Sequence, residues 1–592
     1  MHKITLYQVF TRLFGNTSTA NVPWGTREQN GVGKFSDFTP RALEAIRDLG
    51  ISHIWYTGVP HHARVTDDSQ CGIRSDHPSI VKGRAGSPYA VKDYYSVNPD
   101  LADNPEHRNQ EFEALIARTH KAGLKVIIDI VPNHVARVYQ GQNNPPGVRD
   151  FGADDDTSLT YHRDNNFYYL PGEYFSLPDE LSAHPPLGGE AHPALEKAYV
   201  EYPAKWTGNG SRLAQPNADD WYETVKINYG VRPDGSHDFA SLPPHYRHLD
   251  CGEHLHFWQS QNVPDSWTKF RDIALYWLDK GVDGFRFDMA EMVPVEFWSY
   301  LNAHIKHTNA DAIVIAEVYQ PDRYRDYIQL GKMDYLYDKV DLYDHLIKVT
   351  QGCASTSEIG RIEYQLRDIE HHMLKFMENH DEQRLASPEC CASGENAIPA
   401  MLVSACLSSA PTMIYFGQEV AEPGAEMAGY GQPSRTSIFD YVGVPHHQRW
   451  MNNGQFDGGQ LTEQERTLRH FYQRLLNLSL NSPALCGDYH DLYADNHLAF
   501  GDGADYLYAF ARSCSTQTLI IATNFSQTQS HEVTLTLNEA LIAQWQLTEG
   551  TYALTNCLSG DTHQLQVKNG IGQATLNFTP LCAFYLELGE TL

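Results

Sequence analysis

An α/β fold is predicted: a (β/α)8 TIM barrel, with a long insert after its third strand and a C-terminal antiparallel β-sandwich. Three observations carry the prediction. A unit of helical stripe, glycine and apolar run recurs along the chain. Eight apolar runs have strand length and β-rich composition, as buried parallel strands do. Acidic residues stand at the C-terminal ends of several of these runs, which in a barrel is the catalytic face.

The recurring unit is plain at three places. Leu43, Ile46 and Leu49 make one helical face, Gly50 ends it, and the run 51–56 follows. Phe112, Leu115, Ile116 and Thr119 form the next stripe, closed near Gly123 and followed by 124–131. Phe270, Ile273, Ala274 and Trp277 precede Gly281 and the run 282–288. Each reads as helix, glycine cap and buried strand. The runs 4–10, 312–316, 333–337, 373–377 and 411–416 complete the eight. The barrel is therefore assigned to residues 1–133 and 261–484. Residues 134–260 lack sustained periodicity and are rich in Asn, Asp, Pro, Gly and Tyr. A structureless loop of that length is implausible, so they are assigned to an inserted, loop-rich domain over the barrel mouth. From about 485 the pattern turns to short alternating segments at 519–523, 532–537, 574–578 and 583–588, which predicts a small all-β domain over 485–592.

Composition narrows the function. The formal net charge is −29, from 45 Lys and Arg against 74 Asp and Glu. Such a surface repels phosphate backbones and anionic membranes, so neither nucleic acid nor a membrane is expected as a partner. No apolar run approaches the ~18 residues that span a bilayer. The ten cysteines include no CxxC, and Cys390 and Cys391 are adjacent, so free thiols in a reducing compartment are expected. The opening residues lack the form of a secretory signal. These features point to a cytoplasmic protein; its oligomeric state is not legible.

Asp129, Asp288, Glu317 and Asp381 all fall at or just beyond predicted strand ends. Carboxylates gathered from several strands suit a metal site or glycosidic cleavage. The latter needs one carboxylate at the sugar carbon and one carboxylic acid for the leaving oxygen. Arg286 is two residues before Asp288, so both side chains share a face, and its guanidinium is expected to keep Asp288 ionised. Glu317 ends the apolar run Ile313-Val314-Ile315-Ala316, where a raised pKa would suit a general acid.

Four short strings then match in order. Asp129-Ile130-Val131-Pro132-Asn133-His134, Gly284-Phe285-Arg286-Phe287-Asp288, Ile315-Ala316-Glu317-Val318 and Phe376-Met377-Glu378-Asn379-His380-Asp381 resemble the four signature regions of the α-amylase family, glycoside hydrolase family thirteen. The resemblance spans most of residues 1–420. It implies Asp288 as nucleophile, Glu317 as general acid/base and Asp381 as transition-state stabiliser. It implies His134 and His380 as hydrogen-bond donors to the sugar, and Tyr89 as the aromatic on which that sugar stacks. Asp129 would buttress Arg286 and the histidines, and Arg384 would order the loop after Asp381. Tyr89, His134, Arg286, His380 and Arg384 thus form the expected substrate-binding set.

Two departures stand out. Many family amylases carry Lys-His three and four residues after the nucleophile, and here Glu291 and Met292 replace them. Many also bind a structural Ca2+ through the region-one Asn. Asn133 is present, but one oxygen ligand is far short of the six to eight that Ca2+ takes. The resemblance therefore requires no cofactor and allows one structural Ca2+. Thr224-Val225-Lys226-Ile227-Asn228 resembles the fifth region of the neopullulanase and maltogenic branch at Lys226 and Asn228. That leans towards short maltodextrins and some α-1,6 bonds. The expectation is a retaining α-glucan hydrolase acting on α-1,4 bonds of starch-derived oligosaccharides. A transglycosylase using the same intermediate is the first alternative. A catalytically inactive glucan-binding protein and a metal-dependent hydrolase are remoter ones.

Overall fold

The computed structural model describes residues 3–592 except 180, 182–184 and 425. Each of the eight apolar runs coincides with one strand, to within a residue at Thr57: β1 (Thr5–Phe10), β2 (His53–Thr57), β3 (Lys125–Ile130), β4 (Gly284–Phe287), β5 (Ile313–Ala316), β6 (Tyr335–Tyr337), β7 (Met373–Phe376) and β8 (Thr412–Tyr415). They close into a parallel barrel in the order β1-β8-β7-β6-β5-β4-β3-β2. Strands β1, β4, β5, β7 and β8 are buried at every residue, because side chains fill the barrel on one side and helices cover the other. The glycines after the three helical stripes adopt the left-handed backbone a C-cap needs, with φ of 101° at Gly50, 82° at Gly123 and 97° at Gly281.

Register explains why particular acids meet. Arg286 on β4 lies directly opposite Asp129 on β3, and partners across a parallel ladder point the same way. Gly284 opens β4 where a Cβ would lie 2.3 Å from the Ile313 carbonyl, so only glycine lets β4 approach β5 there.

The stretch 134–260 contains few regular elements. His134–Ala136 pairs with Thr224–Lys226, and Tyr169–Leu170 pairs with Ala204–Lys205. Toward its end the helix Cys251–Gln259 packs on the barrel helix Val295–Thr308, where Ser299 Oγ bonds both His254 Nδ1 and Trp258 Nε1 at 2.7 Å.

The C-terminal strands are β9 (Asp488–Asp491), β10 (Leu507–Cys514), β11 (Gln517–Asn524), β12 (His531–Leu537), β13 (Gly550–Asn556), β14 (Thr562–Lys568), β15 (Ile571–Phe578) and β16 (Ala583–Thr591). They form an antiparallel sheet in the order β9-β10-β11-β16-β13-β14-β15-β12. The sheet curls about one core that takes Leu507 from β10 and Leu535 from β12, near its two edges. The strands stay continuous as the sheet folds over, because β13 hydrogen-bonds both β14 and β16, with a register shift between Tyr552 and Leu554. Arg512, buried, ties this domain to the barrel by donating to the carbonyls of Leu407, Leu485 and Gly487. No helix of the described residues is long and apolar enough to cross a membrane. All ten cysteines are free.

A buried ion cluster fixes the loops around the barrel mouth. Asp100 accepts from Arg64 Nη1 at 2.8 Å, Arg27 Nη1 at 2.9 Å and the Tyr441 hydroxyl at 2.6 Å. Burial pushes the Asp100 carboxyl up, but Arg64, the Tyr441 hydroxyl and Arg27 outweigh it and hold it at about 2. A carboxyl depressed in the fold stabilises above its unfolded pKa of about 3.9, and that contribution is lost as pH falls through about 2. We expect Asp100→Asn to cost about 1–3 kcal/mol at neutral pH, since it weakens charge-assisted hydrogen bonds from Arg64 and Arg27 but leaves both guanidiniums paired with Asp68. Urea denaturation checks this, and the gap between variant and wild type should shrink between about pH 4 and 2. A gap that is absent at pH 7 contradicts the assignment.

Candidate active site

Asp288, Glu317 and Asp381 line one cavity of about 240 Å3 at the C-terminal face of the barrel. Tyr89 and His134 also line it, with Trp221, Glu223 and Thr224 from the loop-rich stretch and Ile438 and Phe439 from the loop after β8. Arg12 holds that last loop by donating to the Ile438 carbonyl at 2.7 Å.

Arg286, fully buried beneath the cavity floor, organises the acids. Its Nη1 donates to Asp288 Oδ1 at 2.6 Å, its Nη2 to Glu317 Oε2 at 3.0 Å and its Nε to the Tyr337 hydroxyl at 3.1 Å. Asp129 Oδ1 is 3.5 Å from the same Nη1, and Asp129 Oδ2 accepts from Trp55 Nε1 at 2.9 Å. Met289 follows Asp288 with a left-handed φ of 46°, which brings its N–H to Glu317 Oε2 at 2.8 Å. A non-glycine residue there costs about 1–2 kcal/mol, held in place by the surrounding contacts. Glu317 Oε2 is thereby occupied as an acceptor from two donors, while Oε1 has no hydrogen-bond partner among the described residues.

His380 stands behind Asp381 and Tyr89. Its Nε2 is 2.6 Å from the Tyr89 hydroxyl and 3.0 Å from Asp381 Oδ2, and its Nδ1 is 2.7 Å from Gln8 Nε2. With that Gln8 amide donating to Nδ1, the ring proton sits on Nε2, facing Asp381 and Tyr89. The Tyr89 ring stacks on the imidazole with 5.1 Å between centroids.

The electrostatics differ from the expectation at Asp288. Burial pushes its carboxyl well above the ordinary range; the Arg286 guanidinium opposes this, and Glu317 and Asp381 add to the rise. A single guanidinium cannot neutralise the carboxyls of Asp129, Asp288, Glu317 and Asp381 together, so the empty cluster favours retaining a proton. Asp381 goes the other way. Its side chain is 39% exposed, and what desolvation it has is outweighed by His380 and Arg286, which hold it at about 2. Burial, with Lys226 and Lys82, pulls His134 down to about 3, so it is a neutral ring at physiological pH.

The expected substrate-binding set divides. Tyr89 and His134 face the cavity. Arg286, His380 and Arg384 are covered and act on other side chains rather than lining the space: Asp288 and the Tyr89 ring stand against Arg286 and His380, and Arg384 is held among Glu378, Phe416 and Thr436. Arg384 donates to Glu378 Oε2 at 2.9 Å, the Phe416 carbonyl at 2.8 Å and Thr436 Oγ1 at 2.9 Å, which ties the segment after Asp381 to β8 and the following loop. Asn133 is also buried away from the space. Its Oδ1 accepts from the Lys226 ammonium, and its Nδ2 donates to the Gly208 carbonyl at 2.9 Å. A calcium ion does not fit these residues. The oxygen it would need is taken by a cation, and the described residues contain no group of three His, Cys, Asp or Glu able to hold a metal.

Several residues of the site were not singled out from the sequence. Trp55 and Tyr337 sit on β2 and β6 and look like ordinary strand aromatics. Gln8 carries a signal, being the one amide in the apolar run of β1. Trp221, Glu223 and Lys82, the last two paired at 2.8 Å, lie in irregular segments with no periodic signal.

Residues 8–169 and 244–455 match the family described as "Alpha amylase, catalytic domain". The chain belongs to the α-amylase family. Among relatives, it is 20% identical over 609 residues to neopullulanase 2 of Thermoactinomyces vulgaris, covering 99% of this chain and 77% of that one. Over 128 residues it is 30% identical to an alpha-1,4-glucan:maltose-1-phosphate maltosyltransferase of Cereibacter sphaeroides, which covers 20% of this chain. That match takes in 21% of the maltosyltransferase, so it spans about a fifth of that curated relative. The fold is that of the noncanonic maltogenic α-amylase AmyB from Thermotoga neapolitana, at 17% identity, TM-score 0.56 and 99% coverage of both chains.

Proposed function

We propose that the protein is a retaining hydrolase of α-1,4 glucosidic bonds, with some α-1,6 cleavage, acting on maltooligosaccharides by double displacement. Asp288 is the nucleophile, Glu317 the general acid/base and Asp381 the stabiliser of the oxocarbenium-like carbon. The observation that carries the reading is the shared guanidinium: Asp288 and Glu317 accept from two nitrogens of one Arg286. A common anchor favours the close carboxyl spacing of a double displacement, about 5–5.5 Å, over the ~6.5–9.5 Å that leaves room for an attacking water.

The chemistry follows from the protons. Glu317 Oε2 is held by Arg286 and Met289, so the acidic proton belongs on Oε1, which is free to meet the leaving oxygen. As that oxygen leaves with the proton, Asp288 forms the glycosyl ester, and Glu317, now a carboxylate, takes a proton from water in the second step. Asp381, ionised down to about pH 2, faces the positive charge that develops between them. The cavity is below the ~300–1,000 Å3 of a typical ligand pocket, which supports short chains as substrates.

Proton NMR of maltotetraose hydrolysis tests this. The α-anomer should appear first and mutarotate later, and kcat/KM per chain end should be higher for maltotetraose than for soluble starch. A β-anomer appearing first contradicts double displacement. A clear preference for starch contradicts the short-chain assignment.

A further inference from the structure

A second cavity, of about 400 Å3, lies against the segment that follows Asp288. The segment after Asp288 forms one wall, through Glu291 and Met292. Glu291 Oε2 accepts from the Tyr319 amide at 2.8 Å, two residues beyond Glu317. The two spaces share a partition. Thr224 lines the first and Lys226 the second, and the Lys226 ammonium reaches both Asn133 Oδ1 and the Met292 carbonyl. If Glu317 protonates the leaving oxygen, the group that leaves departs toward this second space.

Its lining is unlike the rest of the molecule. In a chain of net charge −29, it gathers Arg212, Lys226, Arg232 and Arg323 against a single acid, Glu291. Arg232 is paired with Asp238 at 2.8 Å and Arg323 loosely with Asp326 at 3.6 Å. Arg212 and Lys226 have no carboxylate partner among the described residues; each donates only to neutral oxygens. Two of the guanidiniums also lie over aromatic rings. Arg212 lies 4.3 Å over the Trp206 ring, which is itself stacked on Tyr168 at 4.3 Å, and Arg323 lies 5.3 Å over Tyr327. Stacking covers a guanidinium face and leaves the in-plane N–H groups to bind, the geometry that recognises phosphate and carboxylate. It also covers both faces of Trp206, so that indole offers no platform for a sugar ring.

We propose that this cavity binds an anionic group, phosphate or carboxylate, on the leaving-group side of the scissile bond, so that the preferred substrates are acidic α-glucosides. The proposal rests on the α-glucan reading above and specifies the group beyond the cut. It also gives Glu291 and Met292 a setting: the second space is walled by basic side chains rather than by the Lys-His pair that many family amylases place after the nucleophile. Burial without a counter-ion pulls the Lys226 ammonium down to about 7, so an anion nearby would restore its charge and couple binding to protonation.

Binding to the catalytically silent Asp288→Asn protein separates this from turnover. The probes are maltose, α-maltose 1-phosphate and maltobionate, whose oxidised unit lies beyond the cut, titrated calorimetrically at low salt. Both anions should bind about tenfold or more tighter than maltose, and inorganic phosphate should compete with them. Arg212→Gln, at an exposed position, should remove most of the preference and change maltose binding less than about twofold. Arg323→Gln is a second, independent probe. Equal affinity for all three sugars overturns the proposal and leaves the α-glucan reading intact. So does a preference that survives both substitutions. Failure to bind any of the three overturns both.

Discussion

Asp288→Asn should abolish turnover while leaving the fold intact. We expect kcat to fall by at least about 10^4-fold, the scale of loss when a covalent nucleophile is removed. An amide cannot form the glycosyl ester, yet it matches the carboxyl in size. Stability should hold for an electrostatic reason. Breaking a buried ion pair ordinarily costs about 3–5 kcal/mol, because the surviving charge is stranded. Here Arg286 keeps Glu317 at 3.0 Å and Asp129 at 3.5 Å, so its charge is not stranded. Removing one carboxylate also relieves the repulsion that pushes Asp288 up. The melting temperature should therefore stay level or rise. Maltotetraose cleavage and thermal unfolding measured on the same sample check both halves. Full activity overturns the nucleophile assignment, and a melting temperature lowered by ten degrees or more overturns the account of the cluster's charge.

Glu317→Gln should separate substrates by their leaving groups. For maltooligosaccharides kcat/KM should fall by about 10^2–10^4-fold, the range general acid catalysis supplies. For an aryl glycoside with an activated phenol it should change far less, because that oxygen departs without a proton. The comparison is made on kcat/KM, which reports the glycosylation step. Under saturation the aryl substrate should show a burst of phenol, because the variant also lacks the base for deglycosylation. The geometry favours a clean substitution. Arg286 and the Met289 amide both donate to Oε2, so the glutamine oxygen takes that position and its NH2 group takes the place of Oε1. Equal losses on both substrate types contradict the role of Glu317 as proton donor.

Much of the fold and the inner site was legible in the chain. The eight strands are legible because a strand buried on both faces is a contiguous apolar run, and three of the barrel's helices end on glycines with positive φ. Asp129, Asp288, Glu317 and Asp381 stand out in the chain because each lies at or just past such a run. Arg286 was placed beside Asp288 by the two-residue period of a strand alone.

What only the tertiary structure decided depends on neighbours far apart in the chain. Gln8 orients His380 from 372 residues away, and no local pattern joins them. Arg286, Arg384 and His380 are buried rather than open to the cavity, because burial depends on what other segments lie over them. The Lys226 ammonium sits on Asn133 Oδ1 because two strands of the loop-rich stretch pair there, which a motif containing Asn133 alone could not disclose. Proton affinity was the least legible property. The sequence places Arg286 beside Asp288 and so points to a low pKa, but desolvation and two further carboxylates from other strands reverse the direction. A pKa is set by the charges and solvent around a group in three dimensions, and those are fixed only when the barrel closes.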